Sequence, residues 1–183
     1  EPDALTPDQV QGGWEAVDVS PPAGDRWVAT PSMRVRKWTT EDKAAAEERA
    51  RQEEKAARRA AAALGDLVFE GQQPGEPQAE NMGGFVLTKP LQLVNRRVVW
   101  QAADGKDLYA FYTSNSRWYI SSGEDMRAGK AVGSVASAAA EPDALTPDQV
   151  QGGWQVGDGN AWVAAPSLRA RKWTTVEKVA AAE

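Results

Sequence analysis

The chain contains no cysteine and no histidine. The first absence rules out disulfides, zinc–thiolate sites and a cysteine nucleophile. The second removes Ser-His-Asp chemistry, histidine metal ligation and histidine proton shuttling from these residues. No apolar run approaches the ~20 residues that cross a bilayer, so no membrane span is expected. Positive charge is not in excess: 21 Lys and Arg stand against 26 Asp and Glu, a net charge of -5. A nucleic-acid binder needs a basic surface to displace counterions from phosphate, so nucleic acid is not an expected partner. Carboxylates are plentiful, yet Asp104 and Asp107 belong to a turn and Glu124 and Asp125 to a Ser/Gly loop. No pair is placed to face another across a cleft, as glycoside hydrolysis requires. Gly123, Gly129 and Gly133 do not follow a nucleotide-loop spacing. No catalytic residue, metal ligand or cofactor is assigned, and the expectation is a protein that is not an enzyme.

What the chain does have is a copy of part of itself. EPDALTPDQVQGGW, Glu1 to Trp14, returns unchanged as Glu141 to Trp154, and Arg26–Glu48 is answered by Ala161–Glu183. The two copies differ in length only between their tryptophans, where EAVDVSPPAGDR faces the shorter QVGDGNA. Loop tips tolerate such insertions because their backbone already meets water. Self-similarity at a fixed spacing marks a repeat architecture, here a tandem repeat of about 140 residues.

Each copy carries the same succession of local signals. Trp14–Val17 and Trp27–Ala29, on either side of Pro21, Pro22 and Gly24, predict a hairpin, as do Trp154–Val156 and Trp162–Ala164. Met33, Val35 and Lys37 alternate with Arg34, Arg36 and Trp38, the period of a strand with a basic face. Thr39-x-x-Asp42 and Thr174-x-x-Glu177 then have the spacing of a helix capping box. The stretch behind the first of these, to about Leu64, lacks Gly, Pro and β-branched residues and is built of Ala, Glu, Lys, Arg and Gln, all good helix formers. Its one apolar stripe is alanine, which suits a solvated spacer, or an alanine face packed closely on a neighbouring module. Gly65 is placed to end it.

Between the copies lies a run of short strands. Leu67–Phe69, Phe85–Leu87, Leu91–Val94, Arg97–Gln101, Leu108–Tyr112 and Arg117–Ile120 alternate with turn residues, and Asp104-Gly105 suits a type I′ hairpin. Residues 121–153, rich in Gly, Ser, Ala and Pro, read as loop. The predicted fold is α+β: small antiparallel β modules, sandwich or barrel-like, joined by a long charged Ala-rich helix. Residues 1–39 read as the C-terminal part of one β module and 40–65 as a linker helix. Residues 66–173 read as a complete module and 174–183 as the start of the next linker helix.

The VVW, DG, LYAFY and WYI meander, followed by GW, W and AP, resembles Trp-rich β modules found in tandem in large proteins of algae and other protists. The resemblance covers residues 95–173 and implies no activity. Two groups of side chains are candidates for binding. Tyr109, Tyr112, Trp118 and Tyr119 sit on consecutive strands, where aromatic rings either fill a core or stack on a sugar or a peptide. Alternation puts Tyr109 and Phe111 on one face and Tyr112 on the other, and splits Trp118 from Tyr119, so some rings are expected to be exposed. Arg34, Arg36, Arg169 and Arg171 could bind phosphate or an acidic partner, or lie against the acidic start of a following helix or another module's acid. The expected function is scaffolding, with other copies of the chain or a repeated protein partner. The alternative is a carbohydrate- or peptide-binding module.

Overall fold

The computed structural model describes residues 39–181 and, before them, the backbone of residues 14–18 and 26–30. The chain divides into two compact units, Glu1–Glu48 and Arg49–Glu183. In the first, β1 (Trp14–Asp18) and β2 (Arg26–Thr30) form an antiparallel hairpin with Trp14 opposite Thr30 and Val17 opposite Trp27. Thr39 and Asp42 then bond reciprocally, Thr39 N to the Asp42 carboxylate at 2.9 Å and Asp42 N to Thr39 Oγ1 at 3.2 Å. This is the capping box foreseen from the sequence, and it opens α1 (Thr40–Leu64). The basic strand around Arg34 and Arg36 lies outside the described residues.

The helix changes character along its length. No residue from Thr40 to Gln52 is buried, whereas Ala57, Ala61 and Leu64, spaced by four and three, are buried along one face. The alanine stripe is thus a docking face in its second half and a solvated surface in its first. Gly65, at φ 74°, stops the helix by turning left-handed and donating its N–H to Ala61 O at 2.7 Å.

In the second unit β3 (Leu67–Glu70), β4 (Gly83–Leu87), β7 (Trp100–Ala102), β8 (Leu108–Tyr112), β9 (Trp118–Ser122), β10 (Val135–Ser137), β11 (Trp154–Gly157) and β12 (Trp162–Ala164) pair in order as an antiparallel meander. A small hairpin of β5 (Leu93–Val94) and β6 (Arg97–Val98) is set between β4 and β7. The last strand, β13 (Arg169–Lys172), pairs with β3, at the opposite edge from β12. Laid flat, nine strands would hold their edge strands about 38 Å apart. Residues 165–168, which join β12 to β13, reach no more than about 18 Å. The sheet must therefore curl, and it forms a half-barrel.

Alternation along the strands then sorts the side chains. Leu67, Phe69, Phe85, Trp100, Tyr112, Trp118, Ile120, Val135, Trp154 and Val156 fill the concave side together with Ala61 and Leu64 of α1. Phe69 meets Trp154 edge-on across this space, ring centres 5.2 Å apart, although their strands are far apart in the sheet. Trp100 buries its ring and donates Nε1–H to Gly65 O at 2.9 Å, so the core also holds the end of the helix.

Two parts of the structure depart from the sequence expectation. Residues 121–153 are not plain loop: they contain α2 (Gly123–Ala128) and the interior strand β10. Ser122 caps α2 and Gly129 closes it at φ 61°, signals that were present but short. The three small residues of β10 are held as a strand by neighbours on both sides, Ile120 and Tyr119 on one and Trp154–Val156 on the other. The second departure is the β7–β8 turn. A type I′ turn needs two left-handed residues, and here only Gly105 has positive φ, within a longer connection of residues 103–107.

Candidate functional site

The aromatic candidates are mostly not surface groups. Trp118 and Tyr112 point into the half-barrel and Tyr119 into a second buried cluster on its convex side, while Tyr109 is partly covered beside that cluster. The two-faced alternation holds, but the expected exposure does not follow from it. The convex face is roofed by Met126 of α2 and Val94 of β5, so rings on both faces leave water. A sugar or a peptide cannot stack on Tyr112, Trp118 or Tyr119 without opening a core. Among the described residues the one large exposed aromatic is Trp162 on the edge strand β12, 43% exposed.

Tyr112 and Trp118 have a different task. Each presents its polar tip to the segment that leads from β10 to β11: the Tyr112 hydroxyl donates to Glu141 O at 3.2 Å and Trp118 Nε1–H to Ala144 O at 3.3 Å. Arg97 joins them. Its guanidinium is 2% exposed, donates to Ala144 O (3.3 Å) and Pro142 O (2.9 Å), and lies 4.9 Å from the centre of the Tyr112 ring. Its charge is balanced by Glu53 of α1, which also pairs with Arg96 at 3.0 Å. Partial burial works against ionisation of Glu53, but the hydrogen bonds from Arg97 and Arg96 outweigh it and hold its carboxyl below the ordinary value. The segment these groups grip, Glu141–Trp154, is the one that repeats Glu1–Trp14 without change.

The basic strand forms the second constellation. Glu70 on β3 accepts from Arg169 Nε at 2.8 Å and from Arg171 Nε at 2.9 Å, and Arg171 also reaches Glu177 at 2.6 Å. Glu177 lies in the first turn of α3 (Thr175–Ala180), whose capping box with Thr174 is complete. Of the readings of the basic strand, contact with the acidic start of a following helix describes Arg171, and both described arginines also pair with Glu70 of β3. Asp66, at the end of α1, ties the same helix down. It accepts Lys178 Nζ at 2.6 Å, while its carbonyl accepts Trp173 N–H at 2.9 Å. Lys178 also stands 5.7 Å from the centre of the Trp173 ring. Asp66, two residues past the end of α1, thus holds α3 beside the point where α1 stops.

Compared with known protein families, curated proteins and solved structures, the chain matches none. The site is therefore read from its own chemistry. Among the described residues no group of three or more Asp or Glu converges to hold a metal, and no helix is long and apolar enough to cross a membrane. What the two constellations do is bind chain to chain: one grips a repeated segment, the other joins two helices. Sequence reasoning missed Arg97, Glu53 and Asp66. One signal for the junction was available, because Arg171, Trp173, Thr174 and Lys178 each match a residue of the first copy, Arg36, Trp38, Thr39 and Lys43.

The junction should respond to acid in a defined range. Hydrogen bonds from Arg171 first, then from Thr174, lower the Glu177 carboxyl from 4.5 to about 2. A depressed carboxylate stabilises the fold fully above its unfolded value. That contribution is lost as pH falls from about 4.5 toward about 2. Carboxyl NMR of Glu177 should give a midpoint near the lower figure, and Arg171→Gln should return it toward the ordinary one. An unchanged midpoint in Arg171→Gln would remove the pair as the cause.

Proposed function

We propose that this protein is a non-enzymatic scaffold, in which β modules alternate with charged Ala-rich helices and assemble with copies of themselves or with a repeated partner. One observation carries this reading. The duplicated segments form the same hairpin in the same register: Glu15 faces Ala29 and Val17 faces Trp27, as Gln155 faces Ala164 and Gly157 faces Trp162. Only the tips differ. The helix junction supports it further, since the groups that hold α3 against Asp66 and Glu70 recur around the start of α1 as Arg36, Trp38, Thr39, Asp42 and Lys43. Repeating the same side chains at each module–helix joint would keep successive elements in constant orientation, which a spacer or lattice component requires. Weak contacts of each module would then add through multivalency.

The test is the mass and shape of the native particle, by light scattering followed by electron microscopy. Defined higher-order particles, or a regular long-range spacing of modules, are expected. A featureless monomer at high concentration would sink the scaffold reading and shift attention to ligand binding at the exposed Trp162.

A further inference from the structure

We propose that the hairpin of β1 and β2 is a docking element for a second copy of this chain, and that its receptor is the surface of β10 with Arg97, Tyr112 and Trp118. This deepens the scaffold reading by naming the contact through which copies join.

The argument begins with what the second copy of the repeat does. Its strand β11 pairs on one side with β12 and on the other with β10, Val135 opposite Val156, Ala136 opposite Gln155 and Ser137 opposite Trp154. Among the described residues, the matching strand β1 pairs with β2 alone. Among the described residues, the edge by which β11 joins β10 is therefore one at which β1 has no partner, and open strand edges pair readily with another chain. Trp14 stands where Trp154 stands, Ala16 where Val156 does, and Glu15 where Gln155 does. The interior position keeps a small apolar residue and the exterior one stays polar.

The segment ahead of the strand fits the same receptor by composition. Within Glu141–Trp154 the stabilising bonds are largely its own. Glu141 accepts from Gly152 N at 2.6 Å, Gln149 from Leu145 N at 2.8 Å, and Thr146 donates to Asp148 at 2.6 Å. Every one of these groups recurs in Glu1–Trp14. Of the groups supplied from outside, Arg97, Tyr112 and Trp118 donate to main-chain carbonyls of Glu141, Pro142 and Ala144, Ser116 O accepts the Glu141 N–H at 2.6 Å, and Phe69 packs on the Trp154 ring, which recurs as Trp14. The receptor thus cannot distinguish the two copies of the sequence. Within one chain the second copy holds the receptor because it is tethered there, at an effective concentration of order mM. Loosening that copy, or crowding the chains, lets the hairpin of a second chain take its place.

The absence of cysteine makes the contact easy to trap. Directly opposed residues of antiparallel strands lie within disulfide reach. One chain carries Ala136→Cys and another Glu15→Cys, and the two are mixed under oxidising conditions in mild urea that frays the edge. A disulfide-linked heterodimer is expected, in clear excess over the yield with Ser114→Cys in place of Ala136→Cys. Locking the receptor in one chain with Ala136→Cys and Gln155→Cys should abolish it. Without cysteines, Trp154→Ala should show self-association at concentrations about 10²-fold or more below those the parent needs, and Trp14→Ala added to it should reverse this. No excess heterodimer over the Ser114→Cys control overturns the proposal, whether or not Trp154→Ala folds. Large native particles with no such cross-link would leave the scaffold standing on some other contact.

Discussion

Replacing Glu53 with alanine should destabilise the protein by about 3 kcal/mol, measured by urea unfolding. The cost arises at its partner. Arg97 is 2% exposed, and Glu53, 35% exposed, supplies its only carboxylate among the described ion pairs. Removing the acid leaves a guanidinium charge in the core with two carbonyls and the Tyr112 ring for company. The figure is kept to the low end of the range for broken buried pairs because those contacts remain. A sign test separates this cause from lost helix packing. Adding Arg97→Met to Glu53→Ala removes the stranded charge at similar volume, so the double variant should be more stable than Glu53→Ala alone. A double variant that is still less stable would mean that the charge is not what costs. The single substitution should also loosen α1, since Glu53 sits one turn before the buried Ala57.

Gly71→Ala should be comparably severe, at about 3 kcal/mol or more, with loss of pairing between β3 and β13. The glycine has φ of 112°, a conformation that alanine resists, and a Cβ there would lie 1.9 Å from Ser167 O. That atom is main chain and cannot swing away, so the corner joining β12 to β13 must move. Gly75→Ala is the control. It also has positive φ, 93°, but open space around it, so it should cost only about 1–2 kcal/mol for the backbone strain. Equal losses in the two variants would show that the close approach at Ser167 carries no weight. The position matters because this corner is where the chain crosses from one edge of the sheet to the other.

Much of the fold was legible because its signals are local. The capping boxes at Thr39 and Thr174 need only residues three apart, and Gly65 ends α1 by its own freedom at positive φ. Strand alternation placed Trp118 and Tyr119 on opposite faces, as they are. The candidate site was legible only in part. Arg171 was paired with a helix start, yet its second partner, Glu70, is 101 positions away. Some rings were expected to be exposed, but Tyr119 is buried and Tyr109 partly covered because α2, in a stretch read as loop, lies over the convex face, whereas Tyr112 and Trp118 fill the concave core.

The division has a physical basis. The sequence by itself determined the duplication, the limits of the long helix, the hairpins and the face to which each strand residue points. These depend on backbone dihedrals, side-chain period and capping groups within a few residues of one another. Tertiary structure alone decided which faces are covered, that Val135–Ser137 is an interior strand, and that Arg97 is buried rather than solvated. Each of those depends on groups brought together from distant parts of the chain, as when Arg97 meets Glu53 on one side and Pro142 and Ala144 on the other. A charged side chain carries no local mark of such burial, because the carbonyls and the carboxylate that permit it come from other elements.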